Sequence, residues 1–415
     1  MDFELKYGKE HKKFQIDEKN YMGSLLPNEI NIGMVDEEEV RRALENPIGS
    51  KRLSEIVHSG EKVVIVTSDI TRPMPSHKVL PEVISELKKG GITEKDITIV
   101  LALGSHRGHS EDEKITLVGK GIYNSDVSVI DSDMNKCVRL GFCKNGTPAD
   151  IFEIVAKADR RICLGNIEFH YFAGYSGGSK ALMPGVSSYE AIQANHSNMV
   201  HPDAYAGNID SNPVRQDIDE ITKYISIDFI VNVILDGKKQ IIKAYAGHHK
   251  EAHRAGCRAL DDIYKIPLEE KADIVIVSPG GFPKDINIYQ SQKALDNAKH
   301  AVKEGGILIW CASAKEGFGE KTFEEWMTTK SPKQMIDEIK TNFRLGGHKA
   351  AAIAMVLMKA KVYMVSDLPN ELIRQINLIP FTSLQEAVDA AIEELGDDSK
   401  VLILPSAGST LPTVL

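Results

Sequence analysis

Lys62-Val-Val-Ile-Val-Thr-Ser-Asp69-Ile-Thr-Arg72-Pro73 decides the fold of this chain. Its β-branched run reads as a strand buried on both faces, which is the mark of a parallel sheet. A polar turn follows at once. The spacing predicts a helix over Lys78–Lys89, stopped by Gly90-Gly91, and a second strand over Asp96–Leu103 that ends at Gly104-Ser-His106-Arg-Gly-His109. Outward from there the pattern repeats. A helix is expected over Ser110–Val118, a strand over Asp126–Ile130, a helix over Ile151–Ala158 and a strand over Arg161–Leu164. Strands alternating with helices predict an α/β fold with a mostly parallel sheet and flanking helices. Ligands of such sheets bind beyond the carboxyl ends of the strands. Asp69–Arg72, Ser105–His109 and Ile167–Lys180 all fall there, and that shared placement says more than any one motif.

The first 60 residues are polar, with one helix expected near Asp36–Asn46. Phe229–Leu235 reads as a further strand, Lys239–Ala246 as its antiparallel return, and Glu251–Tyr264 as a helix. A second α/β unit follows. Its strands are expected at Ala272–Pro279, Gly306–Ala314, Lys361–Ser366 and Lys400–Pro405, its helices at Ile288–Lys303, Ala350–Lys359 and Ser383–Leu395. Two domains suit 415 residues. They are expected at 1–268 and 269–405, each built on a mostly parallel sheet, with the active site in the cleft between them. A tail, 406–415, is expected to return to the first domain.

Composition narrows the function. The chain is 42% hydrophobic and 26% charged, with a net charge of −9, so nucleic acid is not the expected partner. Apolar runs such as Gly306–Ala314 are too short to span a bilayer, and the N-terminus lacks an apolar signal region. A cytoplasmic protein without a membrane partner is expected. The five cysteines form no Cys-x-x-Cys pair, which argues against a disulfide framework or a cysteine-rich zinc site.

The richest segment runs Gly165-Asn-Ile-Glu-Phe-His170-Tyr-Phe-Ala-Gly174-Tyr-Ser-Gly177-Gly178-Ser-Lys180-Ala-Leu-Met-Pro184-Gly185, with His196 shortly after. Glycines allow backbone N–H groups close to an anion, and a lysine beside them can meet that anion or act as a nucleophile. Walker A spacing is not met. His106 and His109 admit three readings: a hydrogen-bonded loop, a metal site and a general base. Arg72 offers a fork for a carboxylate or phosphate, or a structural pair with Asp69. Tyr289 and Lys293 share one helix face, beside Gln290, after Gly280-Gly-Phe-Pro-Lys-Asp285.

Together these segments resemble the nickel-dependent lactate racemase family. The matched elements are Asp69-x-Thr-Arg72-Pro, Gly104-x-His106-Arg, the whole Gly165–Gly185 segment, Asn195-His196, Gly280-Gly-x-Pro-x-Asp285 and Tyr289-Gln290-x-x-Lys293. The resemblance implies a nickel pincer nucleotide (pyridinium-3-thioamide-5-thiocarboxylic acid mononucleotide) held covalently on Lys180, with His196 as the protein's nickel ligand. It implies that Asp69, Gly177, Gly178 and Tyr289 contact this cofactor. His106 and His170 would be the catalytic bases, and Arg72 and Lys293, with Tyr289 and Gln290, would bind substrate. The implied reaction racemises or epimerises a 2-hydroxy acid by reversible hydride transfer to the cofactor through a 2-keto acid. Cofactor-assembly enzymes are implied as partners.

The chain departs from the family at one place. Where lactate racemase has a tryptophan from the second domain near the cofactor, Asn342–Lys349 has none, and the tryptophans are Trp310 and Trp326. Arg344, His348 and Lys349 suggest a more polar or dicarboxylic acid, or a sugar acid; the plain alternative is a solvated basic turn. Two other functions remain open from the residues: a non-catalytic small-molecule-binding homologue, and a metal-dependent hydrolase using the histidines with Glu168 or Asp69. The oligomeric state stays open.

Overall fold

The computed structural model describes residues 1–415 and divides them into two bodies, Ile30–Leu260 and Met1–Glu29 with Asp261–Leu415. Both are α/β units on six-stranded sheets.

In the body Ile30–Leu260 the strand order is Ile241–Gly247, Phe229–Leu235, Arg160–Asn166, Val63–Ser68, Ile97–Ala102 and Ser128–Asp131. All pairings are parallel except that of Ile241–Gly247 with Phe229–Leu235. Val63–Thr67 is buried throughout, as a strand covered on both faces requires. The chain starts this sheet at Val63–Ser68, builds outward through Ile97–Ala102 to Ser128–Asp131, and then places Arg160–Asn166 on the opposite flank. The order therefore reverses between Val63–Ser68 and Arg160–Asn166, and such a reversal leaves a crevice at the strands' carboxyl ends. Asp69–Arg72 and Ile167–Lys180 leave from those two ends.

The second body carries Ile379–Phe381, Lys361–Val365, Val302–Cys311, Ala272–Val277, Val401–Leu404 and Tyr21–Ser24 in that order, all parallel. Its core includes Leu5, Tyr7, Phe14 and Ile16 from an N-terminal hairpin, Asp2–Tyr7 with Glu10–Gln15.

These facts correct the expected division at 1–268 and 269–405. Residues 1–29 join the later body, because Tyr21–Ser24 completes its sheet and the hairpin fills its core. The boundary lies at 260/261, inside the helix Glu251–Tyr264. The tail is corrected as well: Leu411–Val414 pairs in parallel with Lys265–Leu268, within its own body.

Local differences have local causes. The expected helix Ile151–Ala158 starts as a strand, Pro148–Phe152, and turns helical only over Glu153–Lys157. The helix from Ile288 stops at Ala298, and the next strand begins at Val302, which already pairs with Ala272 across a bulged register. No helix is long and apolar enough to cross a membrane.

Candidate active site

Asp69 is the first residue past the strand Val63–Ser68, and it is buried. Its Oδ2 is hydrogen-bonded to His106 Nδ1, and Thr71 Oγ1 donates to Oδ1 at 2.8 Å. Burial pushes the Asp69 carboxyl up. The hydrogen bond and charge of His106, with the charge of Arg72, outweigh that and hold it below the usual carboxylate range. Asp69 is therefore a carboxylate and the shared proton sits on His106 Nδ1. That leaves the lone pair on Nε2, the arrangement a general base needs. Both oxygens of Asp69, expected as a cofactor contact, accept from Thr71, and Oδ2 is also bonded to His106.

His109 has the loop-holding role among its three readings. The N–H of Ile70 donates to its Nε2 at 3.1 Å, so the ring proton is on Nδ1, which donates to Asp131 Oδ1 at 2.7 Å. His109 thus fixes the turn that carries Asp69. The His106 loop is also tied to the end of the glycine-rich segment, for Gly104 N–H donates to the Gly185 carbonyl at 2.9 Å.

Lys180 lies in a 3₁₀ turn, Gly178–Ala181, and is partly buried. Burial lowers the pKa of its amine well below the ordinary lysine value; the charges of Arg215 and Arg72 lower it further, against the opposing charge of Glu168. Arg72 thus lies within electrostatic reach of both Asp69 and Lys180. Gly177 and Gly178, the glycines before Lys180, are also required by their packing. Both have left-handed backbones, φ +75° and +60°. A Cβ on Gly177 would stand 2.8 Å from Asn232 Oδ1, and one on Gly178 would stand 2.8 Å from the His253 ring. The Gly178 N–H already donates to Asn232 Oδ1 at 2.8 Å.

His170 and His196 both pack against one aromatic ring. Phe172 packs edge-on at 4.5 Å from the first and 4.9 Å from the second, centroid to centroid. The N–H of Ala173 donates to His170 Nδ1 at 3.2 Å, so in this arrangement the ring proton is on Nε2, the opposite tautomer to His106. His196 is buried at the end of the helix Tyr189–His196. Asn195 Nδ2 donates to the Val214 carbonyl at 3.0 Å, so its Oδ1 must accept from His196 Nδ1, also at 3.0 Å. That fixes the tautomer with the lone pair on Nε2, as a partner behind a ligating histidine does. One oriented imidazole and one lysine amine of lowered pKa suit a group that attaches covalently and brings most of its own metal donors.

In the second body, Asn287 caps the helix Ile288–Ala298 by accepting from Gln290 N–H. Tyr289 is half-buried, Gln290 exposed and Lys293 partly buried. Asp285 is buried and structural, its Oδ2 accepting from Gly8 N–H at 2.6 Å. The solvated-turn reading of His348 and Lys349 does not hold. Both are buried, and Lys349 Nζ donates to the Tyr289 carbonyl at 2.5 Å while lying 4.0 Å from that ring's centroid. Arg344 is only partly buried, 3.8 Å from Glu325. Trp310 and Trp326 are core residues.

Sequence reading missed Asn212, Arg215, Asn232 and His253, which grip the glycine-rich segment from below. Asn212-Pro213 carries a helix-start signal, but no local pattern announces a buried arginine.

Comparison with known proteins follows this geometry. Residues 7–207 match the family model "Lactate racemase N-terminal domain", and residues 268–411 match "Lactate racemase C-terminal domain". The chain is 33% identical to the lactate racemase of Thermoanaerobacterium thermosaccharolyticum, over 99% of each chain. It is 34% identical to that of Lactiplantibacillus plantarum, over 97% of each. The solved lactate racemase apoprotein of T. thermosaccharolyticum superimposes with a TM-score of 0.90, covering 99% of this chain and 100% of that one. A Thermotoga maritima protein, 17% identical with a TM-score of 0.65, shares the fold.

Proposed function

The chain belongs to the lactate racemase family and is an isomerase; from that premise we propose that it inverts the carbinol carbon of a 2-hydroxy acid with a nickel pincer nucleotide. Lys180 and His196 would hold that cofactor, which when bound supplies a reversible hydride acceptor. The observation that carries the reading is the grouping at one sheet end of a carboxylate-backed base, His106 with Asp69, beside Arg72 and Lys180.

The residues divide the remaining work. Arg72 offers two parallel N–H donors to the substrate carboxylate. Lys293, with Tyr289 and Gln290, is proposed as a further carboxylate-binding group. His106 Nε2 takes the hydroxyl proton of one enantiomer, and its charge is then balanced by Asp69. His170 is proposed to serve the other enantiomer, whose hydroxyl points to the opposite side once the planar 2-keto acid has turned; to accept a proton at Nε2 its ring must give up the bond from Ala173 N–H and carry its proton on Nδ1. Two bases are needed because one imidazole cannot reach both directions. The substrate is proposed to carry an additional polar or anionic group on the strength of the basic residues Arg344, His348 and Lys349, although Lys349 and His348 are engaged within their own body.

The hydrolase alternative loses support from geometry. The three metal-capable side chains close enough to share an ion are Cys143, Asp217 and Glu220, which include no histidine. The test is the intact mass of the chain co-expressed with cofactor-assembly enzymes in nickel medium. We expect a cofactor-sized adduct on Lys180, absent in Lys180→Ala, and inversion of a polar 2-hydroxy acid by the loaded protein. An unmodified mass, with a known family member loaded in parallel, returns the binding-protein reading; turnover of lactate alone rejects the polar substrate.

A further inference from the structure

Four carbonyls in the short stretch before Lys180 accept from buried side chains. Asn212 Nδ2 donates to Phe172 O at 2.9 Å, Arg215 Nε to Ala173 O at 3.3 Å, Arg215 Nη2 to Tyr175 O, and His253 Nε2 to Ser176 O at 2.7 Å. Arg215 is the unusual member. It is wholly buried, its helix Pro213–Glu220 packs against the turn bearing Lys180, and its Nη1 makes no hydrogen bond. Its carboxylate neighbour, Asp219, stands 3.6 Å from Nη1 and is shared with Arg254. A lysine or a neutral side chain could not grip two carbonyls from one planar fork. Yet a buried guanidinium is costly.

We propose that Arg215 is a positioning residue for covalent attachment at Lys180. This rests on the reading of Lys180 as the cofactor's anchor. Arg215 holds the glycine-rich segment by two of its carbonyls, and its fixed positive charge is felt at the amine. Arg72 adds a second charge from the turn after Val63–Ser68, and Glu168 opposes both from the loop after Arg160–Asn166. No carboxylate forms an ion pair with Lys180. A neutral amine is what attachment requires. Lys180 Nζ attacks a thiocarboxylic acid carbon, the C–N bond forms, the C–O bond breaks, and water leaves to give the thioamide.

Acetyl N-hydroxysuccinimide ester tests this on the folded full-length chain without cofactor. Lys180 Nζ attacks the acyl carbon, the bond to the N-hydroxysuccinimide oxygen breaks with its electron pair, and the amine proton passes to solvent. Labelling is followed by peptide mass against pH, with exposed Lys238 as reference. In the wild type Lys180 should reach its full rate at lower pH than Lys238. Arg215→Met should raise the Lys180 midpoint by about one pH unit, a roughly tenfold loss of rate at fixed pH below it. Arg215→Lys, which keeps the charge, should restore it. Asp219→Asn, which removes the opposing charge, should move the midpoint the other way, and it carries the test should Arg215→Met not fold. A midpoint unmoved in a folded variant overturns the proposal. The probe contains no cofactor, so the two ideas fail separately. Cofactor mass on Lys180 with an unmoved midpoint rejects the role of Arg215 alone. A moving midpoint without cofactor mass rejects the attachment.

Discussion

At the residue scale, the site depends on which ring nitrogen carries a proton. Asp69, held as a carboxylate, keeps the His106 proton on Nδ1 and so makes Nε2 a base. In Asp69→Asn the amide can donate instead, which places the ring proton on Nε2 and removes the base. Wrong-tautomer substitutions of this type cost up to about 10⁴ in rate where the histidine must accept a proton. We therefore expect Asp69→Asn in loaded enzyme to lower kcat for inversion by about 10²–10⁴ with a smaller change in KM, and to add little to His106→Ala. Retention of more than a tenth of the wild-type kcat would show that Asp69 does not set the tautomer. His106, His170 and Lys180 stand out in the sequence as candidates because they lie among glycines in loops that follow strands, whereas His196 ends a helix. Their orienting partners were not legible there. Asn195 acts by facing its oxygen to His196, and Arg215 by reaching back to carbonyls of residues 173 and 175. A backbone carbonyl has no residue identity, so no spacing reveals such a partner.

At the element scale, strands with two buried faces announce themselves. Val63–Ser68, Phe229–Leu235 and Ala272–Val277 are near-continuous apolar runs, and the sequence locates each within a residue or two. The hairpin Cys137–Phe142 with Pro148–Phe152 does not, since its first strand is mostly exposed and mixes charge with apolar residues. Ser331-Pro332 with Gln334 forms a capping box at the helix Pro332–Thr341, a signal that hydrophobic period alone passes over. The turn Gly178–Ala181 is the element on which the site depends most. Its first residue combines a left-handed backbone with the His253 ring directly beneath. Gly178→Ala should cost about 1–3 kcal/mol from backbone strain alone, more if the buried imidazole cannot shift. Urea denaturation of the cofactor-free chain checks this; an unchanged midpoint would mean that the turn tolerates a Cβ and that its glycines serve ligand approach after all.

At the scale of the whole molecule, the architecture followed from strand–helix alternation, whereas the assignment of residues 1–29 did not. Those residues are polar on average and precede the first readable strand, so proximity in sequence assigns them to the wrong body. Four of their apolar residues, Leu5, Tyr7, Phe14 and Ile16, join the core of the later body, while Met1 and Leu26 are exposed. The hairpin also satisfies buried groups there. Ser278 Oγ donates to Lys6 O at 2.8 Å, and Gly8 N–H donates to Asp285 Oδ2. Burying such a side chain contributes about 1.5–3 kcal/mol, so four contribute roughly 6–12 kcal/mol, comparable with the entire stability of a domain. A chain beginning at Ile30 should therefore lose amide-exchange protection in Ala272–Val277 and Val401–Leu404, while Val63–Ser68, Ile97–Ala102 and Arg160–Asn166 keep theirs. Had the first 29 residues belonged with the body that holds Lys180, the loss would fall on those three strands instead. Equal protection in both sheets after truncation would mean that the hairpin covers a core able to stand without it.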